Sequence, residues 1–318
     1  MNAPVLSIVV PCYNEEAVFN LCLSELSLRL EEMIQDKKIA STSHIVFVDD
    51  GSKDDTWSLI DAQASANPFV KGVKLSRNKG HQTALIAGLS LCKDSDITIS
   101  IDADLQDDTS VIKKMVDVYL SGKDIVYGVR NDRASDTIFK RFTAQSFYKV
   151  MSLMGVNQVQ NHADFRLLSK RALEALLQYK EQNLYIRGLI PLIGFPSDMV
   201  YYARSERVAG ESKYPLKKMI ALALEGITSF SVTPLRIVTA LGFIISILSS
   251  VGVLYTLGQY FLGHTVSGWT SMILATLFIG GVQMLCLGVI GEYVGKIYME
   301  SKKRPKFFIE AMTDGEKK

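Results

Sequence analysis

From residue 237 to residue 291 the chain carries no Asp, Glu, Lys or Arg, a run of 55 positions in a sequence of 318. A helical hairpin in water needs a polar face, and this stretch has none to offer. It is long enough for two spans of about 20 apolar residues each. The spans are expected at 234–257 and 269–293, joined by 258–268. No Asp, Glu, Lys or Arg sits mid-span, which argues against a transporter or a proton relay. Cysteine is scarce as well: four residues, Cys12, Cys22, Cys92 and Cys286, with no C-x-x-C pair. That spacing excludes a zinc ribbon and a disulfide framework and fits a reducing compartment. Residues 1–4 hold no basic group, and the apolar run 5–10 is too short for a signal sequence. There is no G-x-G-x-x-G after that run and no Walker lysine motif, so dinucleotide and P-loop readings are disfavoured. The net charge of +2 names no partner, and nucleic acid is not expected as one.

What is present is a strict alternation. Short β-branched runs at 5–10, 44–48, 70–75, 97–101 and 124–129 are separated by helical stretches of 10–20 residues. This pattern predicts an α/β fold with a mostly parallel, doubly wound sheet. Ligands of such sheets sit beyond the carboxyl ends of the strands. Glu15, Asp50, Lys79, Asp102, Asp104 and Arg130 all fall at those ends. The centre of the pattern is Ile97-Thr98-Ile99-Ser100-Ile101-Asp102-Ala103-Asp104-Leu105-Gln106-Asp107, a buried strand that ends in carboxylates. Asp102 and Asp104 are hard oxygen ligands that suit Mg²⁺ or Mn²⁺ together with substrate phosphate. A lone Asp-x-Asp also occurs in solvated turns, and the context favours the site. Pro11 is expected to end the first strand, Asn14 to cap the helix after it, and Asp107 and Asp108 to cap the helix after the fourth. His81 and His162 are expected to make packing or polar contacts rather than to bind metal. Asp49 is expected to be structural, and Arg166 and Arg187 are candidates for structural ion pairs.

Lys213, Lys217, Lys218 and Arg236 precede the first span, and Lys296, Lys302, Lys303, Arg304 and Lys306 follow the second. The link has no basic residue, so both ends are placed in the cytoplasm. Residues 215–229 are amphipathic and suit either an interfacial helix or a helix packed in the soluble part. Small residues in the spans (Gly242, Ser246, Ser249, Ser250, Gly280 and Gly281) permit close helix contacts and a homo-oligomer. The expected organisation is a catalytic domain at 1–213, a juxtamembrane amphipathic helix at 214–233, two transmembrane helices at 234–298 and a basic cytoplasmic tail at 299–318.

Five segments then recur in a familiar order: Val9-Val10-Pro11-Cys12-Tyr13-Asn14-Glu15-Glu16, Val48-Asp49-Asp50-Gly51-Ser52, Asn78-Lys79-Gly80, Asp102-Ala103-Asp104-Leu105-Gln106 and Gly210-Glu211-Ser212-Lys213-Tyr214. Together with the paired spans they resemble the family 2 glycosyltransferases of GT-A fold. More narrowly, they resemble the polyprenyl-phosphate glycosyltransferases of the bactoprenol glucosyltransferase type, to which dolichyl-phosphate mannose synthase is related. The resemblance implies a Rossmann-like catalytic domain and a Mg²⁺ or Mn²⁺ cofactor. It implies that Pro11, Tyr13, Glu15, Asp50, Lys79, Asp102 and Ala103 hold the nucleotide, and that Asp102, Asp104 and Gln106 surround the metal. Arg130, Arg141, Arg207, Ser212 and Lys213 would bind donor and acceptor phosphates. Asp164 stands where bactoprenol-type members carry a candidate catalytic aspartate; dolichol-type enzymes have no acid there.

The implied reaction joins a nucleotide sugar, UDP-glucose before GDP-mannose or an amino-sugar nucleotide, to a polyprenyl phosphate at the inner bacterial membrane. Its product would serve cell-envelope glycosylation such as that of the O-antigen of lipopolysaccharide. Both substrates are anions, and two unit charges about 5 Å apart repel by roughly 3 kcal/mol at an effective dielectric of 20. A cation on Asp104 and basic residues at the acceptor would offset that repulsion. The attacking phosphate is largely ionised at neutral pH, its second pKa being about 6, so Asp164 is assigned positioning or weak base work, against a structural role. The expected course is a single inverting displacement. A non-catalytic sugar-lipid carrier is the competing reading, and the full set of charged residues argues against it.

Overall fold

The structure is a computed structural model that describes residues 3–131, 162–182, 185–203, 231–262 and 268–313. The chain divides into two compact units, one of residues 1–148, 157–214 and 304–318, the other of residues 149–156 and 215–303.

The first unit is the α/β part. Its strands are β1 (Leu6–Cys12), β2 (His44–Asp49), β3 (Val70–Leu75), β4 (Ile97–Ser100), β5 (Ile125–Arg130), β6 (His162–Ser169), β7 (Ser197–Tyr202) and β8 (Ile309–Met312). Between them lie α1 (Glu16–Gln35), α2 (Thr56–Ala66), α3 (His81–Leu91), α4 (Val111–Leu120), α5 (Lys170–Gln178) and α6 (Ile186–Ile193). The sheet runs β7-β5-β6-β4-β1-β2-β3-β8. Strands β4, β1, β2 and β3 are mutually parallel, and β5 is parallel to β7. Strand β6 lies antiparallel between β4 and β5, and β8 lies antiparallel on β3. The expected parallel sheet is thus present, with two antiparallel strands that the alternating pattern does not announce.

The inner strands are apolar throughout, as burial on both faces requires; all of β1 and β4 is buried. Helix α1 covers one face through Phe19, whose ring meets Phe47 edge to face at 4.9 Å between centroids; such a pair adds about 1 kcal/mol beyond its buried area. Helix α3 lies close on the sheet at Gly88, where a Cβ would come within 2.5 Å of a Val9 methyl.

Pro11 does not end β1, which continues to Cys12 and pairs Pro11 with Val48. Val9 accepts a bond from Ile101 N on the β4 side, and alternation turns the Pro11 nitrogen to that same side, beyond the last residue of β4. A missing N–H costs nothing there. The tail also differs from the simple basic extension expected. Residues 309–312 form β8, Ser76 N donates to Phe308 O, and Gly72 N donates to Thr313 Oγ1 at 2.9 Å. Edge strand β3 is thereby covered along part of its length.

The second unit contains α7 (Thr233–Phe261) and α8 (Trp269–Ser301). At 1.5 Å per residue these helices are about 43 and 50 Å long, and Tyr293 OH donates to Ser231 O at 2.6 Å. Among the described residues one helical segment, Phe278–Ser301, is long and apolar enough to cross a membrane. The helices sit where the two spans are expected, but that measure supports one crossing segment rather than two.

Candidate active site

The carboxyl ends of the parallel strands carry a continuous set of polar side chains. After β1, Tyr13 is 41% exposed and Glu15 N donates to Thr56 Oγ1 at 2.9 Å. Asn14 is no helix cap. In the left-handed region at φ 55°, it accepts Lys53 N on Oδ1 at 2.9 Å and gives its own N–H to Ser52 Oγ. It therefore ties the turn after β1 to the turn after β2. Asp49 accepts Ser52 N and shapes that second turn, as expected of a structural residue.

Asp50 is buried, and both its oxygens are in use: Oδ1 accepts Lys79 N at 2.7 Å and Oδ2 accepts Gly80 N at 2.8 Å. Burial pushes its carboxyl up while those amides pull it down. Gly51, at φ +69°, passes so close to the loop after β3 that a Cβ would lie 2.7 Å from Asn78 N. Asp50 and Gly51 thus clasp the loop that carries Lys79.

After β4, Ala103 is buried, Asp102 and Asp104 are half-buried, and Gln106 is buried. Gln106 N donates to Asp104 Oδ1 at 3.3 Å across Leu105, which is left-handed at φ 52°. A non-glycine residue there costs of order 1–3 kcal/mol and needs its surroundings to hold it; Leu105 packs on the core. Oδ1 of Asp102 is buried and accepts no hydrogen bond among the described residues, with His81 Nε2 3.3 Å away. Burial pushes the Asp102 carboxyl up to about 6, helped by nearby Asp164, Asp107 and Asp104 and opposed by His81.

Antiparallel β6 brings in the far side of the site. Ser100 pairs with Arg166, and continuing that register by two residues brings Asp102 level with Asp164. Ser100 Oγ donates to Asp164 O at 2.8 Å. The Asp164 carboxylate is buried under two guanidiniums. Arg166 Nη2 bonds Oδ1, while Arg187 gives Nε to Oδ1 at 3.2 Å and Nη2 to Oδ2 at 3.0 Å. His81 Nε2 stands 3.6 Å from Oδ2. Burial alone would raise Asp164; Arg166 and Arg187 overcome it and hold the carboxyl well below the usual range. His81, expected to make packing or polar contacts, makes a polar one: it bridges the two carboxylates. The ion pairs expected of Arg166 and Arg187 are present, and their partner is a candidate site residue.

Asp107 also departs from its expected place. Rather than capping α4, it accepts Arg130 Nε at 2.9 Å and Tyr202 OH at 2.6 Å. Asp108 makes the local turn, accepting Ser110 N at 2.9 Å. Arg130, expected on a substrate phosphate, is thus aimed by a buried carboxylate. Arg141, Arg207, Ser212 and Lys213, together with the amphipathic stretch 215–229, lie outside the described residues. Burial pushes the Cys22 thiol up to about 12 and that of Cys92 up to about 11.

The model of Glycosyl transferase family 2 matches residues 7–177. The chain belongs to that family. Its residues 233–297 also match the GtrB C-terminal hairpin. A glycosyltransferase of Bacillus subtilis (strain 168), YkoT, is 53% identical over 308 residues, 96% of this chain and 91% of that one. The bactoprenol glucosyl transferase of Shigella phage SfX is 40% identical over 308 residues, 96% and 99% of the two chains. Among solved structures, the mannosyltransferase PcManGT of Pyrobaculum calidifontis aligns with a TM-score of 0.47 at 16% identity, covering 92% of this chain and 87% of that one. The protein is therefore a glycosyltransferase with a GT-A-like α/β domain.

Whether the residues suit a divalent ion is answered by Asp102 and Asp104. Among the described residues no three His, Cys, Asp or Glu side chains gather into a cage. Two hard carboxylates at one strand end, one with a buried oxygen lacking a hydrogen bond, fit an ion that takes its other oxygens from water and substrate phosphate.

Proposed function

We propose that the protein transfers a sugar, glucose from UDP-glucose in the first instance, onto a polyprenyl phosphate at the cytoplasmic membrane face, with inversion. One observation carries this reading: the Asp102–Asp104 loop faces a carboxylate held by two arginines across His81, within a family 2 domain. Negative and positive poles stand side by side, as two anionic substrates require.

In this reading Asp102 and Asp104 would hold Mg²⁺ or Mn²⁺, which supplies positive charge to a leaving diphosphate. Asp50 fixes the Lys79–Gly80 loop against the nucleotide, with Pro11, Tyr13, Glu15 and Ala103 around it. An acceptor phosphate oxygen forms the new bond to the anomeric carbon as the bond to the diphosphate breaks, and the electron pair leaves with the nucleoside diphosphate. No proton has to move, because the acceptor is already ionised. That agrees with Asp164, whose depressed pKa makes it a poor base. Arg130, aimed by Asp107, would meet a phosphate, with Arg141, Arg207, Ser212 and Lys213 completing the collar.

The membrane anchor has a topological argument. Strand β8 belongs to the same sheet as β1 to β7, so any crossings between residues 203 and 304 are even in number. Helices α7 and α8 exceed the roughly 30 Å of a hydrocarbon core, which supports a two-span hairpin with both ends on one face, the cytoplasmic one by its basic flanks. A lipid acceptor is then met in the plane of the bilayer, at raised effective concentration.

The test is turnover by the purified full chain in detergent, with Mg²⁺ or Mn²⁺, a short polyprenyl phosphate and a panel of nucleotide sugars, followed by mass analysis of the lipid. A polyprenyl-phosphate hexose from UDP-glucose is expected. Product only from GDP-mannose or an amino-sugar donor would reassign the sugar; no lipid product from any donor would reject the reading.

A further inference from the structure

We propose that Arg187 binds a substrate phosphate oxygen in this site and that Asp164 is its positioning residue, not a proton acceptor. The inference rests on the function proposed above. It starts from charge. Asp124 and Asp107 each face one arginine, Arg171 and Arg130 respectively. Asp164 faces two, Arg166 and Arg187, in a pocket where its own side chain is only 8% exposed. One carboxylate thus holds two guanidiniums beside the strand-end carboxylates. A guanidinium that is held in place yet open on one side can meet an anion.

Geometry says which arginine meets that anion. The Arg166 side chain is 1% exposed and lies beneath Asp164, whereas that of Arg187 is 39% exposed. Arg187 grips the carboxylate by Nε and Nη2, a two-pronged contact that fixes the plane of the guanidinium. Nη1 bonds to no described residue and remains for a ligand. The mount is firm. Gln82 Oε1 accepts Ile186 N at 3.3 Å, and its Nε2 lies 3.5 Å from Asp164 Oδ2, so the start of α6 is latched to α3. His81 links the same carboxylate to Asp102. Burial lowers the Arg187 pKa, but Asp164 foremost, and Asp102 with it, carry it above its ordinary value, so the group stays charged. A planar, immobilised, half-exposed guanidinium next to a metal-suited carboxylate pair is matched by a phosphate. That phosphate belongs either to the donor diphosphate or to the acceptor.

The experiment is steady-state kinetics of the full chain in detergent, varying UDP-glucose and a short polyprenyl phosphate in turn, for wild type, Arg187→Gln, Arg187→Lys and Asp164→Asn. Wild-type turnover tests the function itself; the pattern among variants tests Arg187. Arg187→Gln is expected to raise KM for one substrate about 10- to 100-fold, with Arg187→Lys between it and wild type. A rise for the acceptor assigns the acceptor phosphate, and a rise for the donor assigns the diphosphate. Asp164→Asn is expected to raise KM for that same substrate while keeping measurable turnover. Should Arg187→Gln fold, as judged by thermal melting, and leave both KM values unchanged, the proposal is overturned. Where it does not fold, Arg187→Lys with unchanged KM values overturns it equally. A large fall in kcat for Asp164→Asn with both KM values intact would overturn the positioning role and leave Asp164 as a base.

Discussion

Asp102 and Asp164 belong to neighbouring stretches that run in opposite directions, and His81 Nε2 stands between their carboxylates at 3.3 and 3.6 Å. One acid is pushed up by burial while the other is held down by arginines. Two carboxylates a few ångströms apart therefore carry different duties, one suited to a cation and one to orienting a cationic side chain.

Asp104→Asn should abolish most of the turnover. Losing one of two hard ligands costs several kcal/mol of charge stabilisation, or about 10²- to 10³-fold in rate. Initial rates across a Mn²⁺ titration check this, and chelation of the wild type with EDTA should give the same loss, reversible on adding metal. An unchanged rate in the variant would remove Asp104 from the metal site.

Asp50→Ala leaves the amides of Lys79 and Gly80 without acceptors. The expected cost is about 1–3 kcal/mol per buried donor stranded, read as a lower denaturation midpoint. The Lys79 loop should loosen, so the donor KM should rise more than that of the acceptor. Gly51→Ala should act in the same direction, since its φ of +69° and the 2.7 Å approach to Asn78 leave no room for a methyl group.

Acid should weaken the fold at Asp124. Arg171 first, then Ser169, hold this carboxylate below its ordinary pKa. A depressed folded-state value means the contribution is fully present above the unfolded value of about 3.9 and is lost as pH falls through the folded value. Stability of the wild type should therefore fall below about pH 4, and Asp124→Asn should flatten that part of the curve. Denaturation midpoints across pH 2–7 measure it; equal slopes for the two proteins would refute the assignment.

Removing residues 309–318 should expose the edge of β3. Lys74 would lose Glu310, Gly72 would lose Thr313, and an uncovered strand edge is prone to pair with other chains. A lower melting temperature and a larger aggregated fraction in size-exclusion chromatography are expected, although no residue of the Asp102–Asp164 cluster is touched.

The alternation of β-branched runs and helical stretches was enough to place β1 to β5 and α1 to α4, because periodicity and burial are local properties of adjacent residues. It also put Glu15, Asp50, Lys79, Asp102, Asp104 and Arg130 at strand ends, and the uncharged run at helices α7 and α8. Nothing local could reveal that β6 would insert antiparallel between β4 and β5. That register decides that Asp164 meets His81 and Arg187, and chain distance hides it. The same holds for Asp107 and Arg130, for Asp50 and the Lys79 amides, and for the tail strand on β3, separated from its partner by more than 230 residues. Patterning chooses the elements; pairing of buried charges and backbone groups across the sheet chooses their duties, and only the folded chain brings those partners within reach.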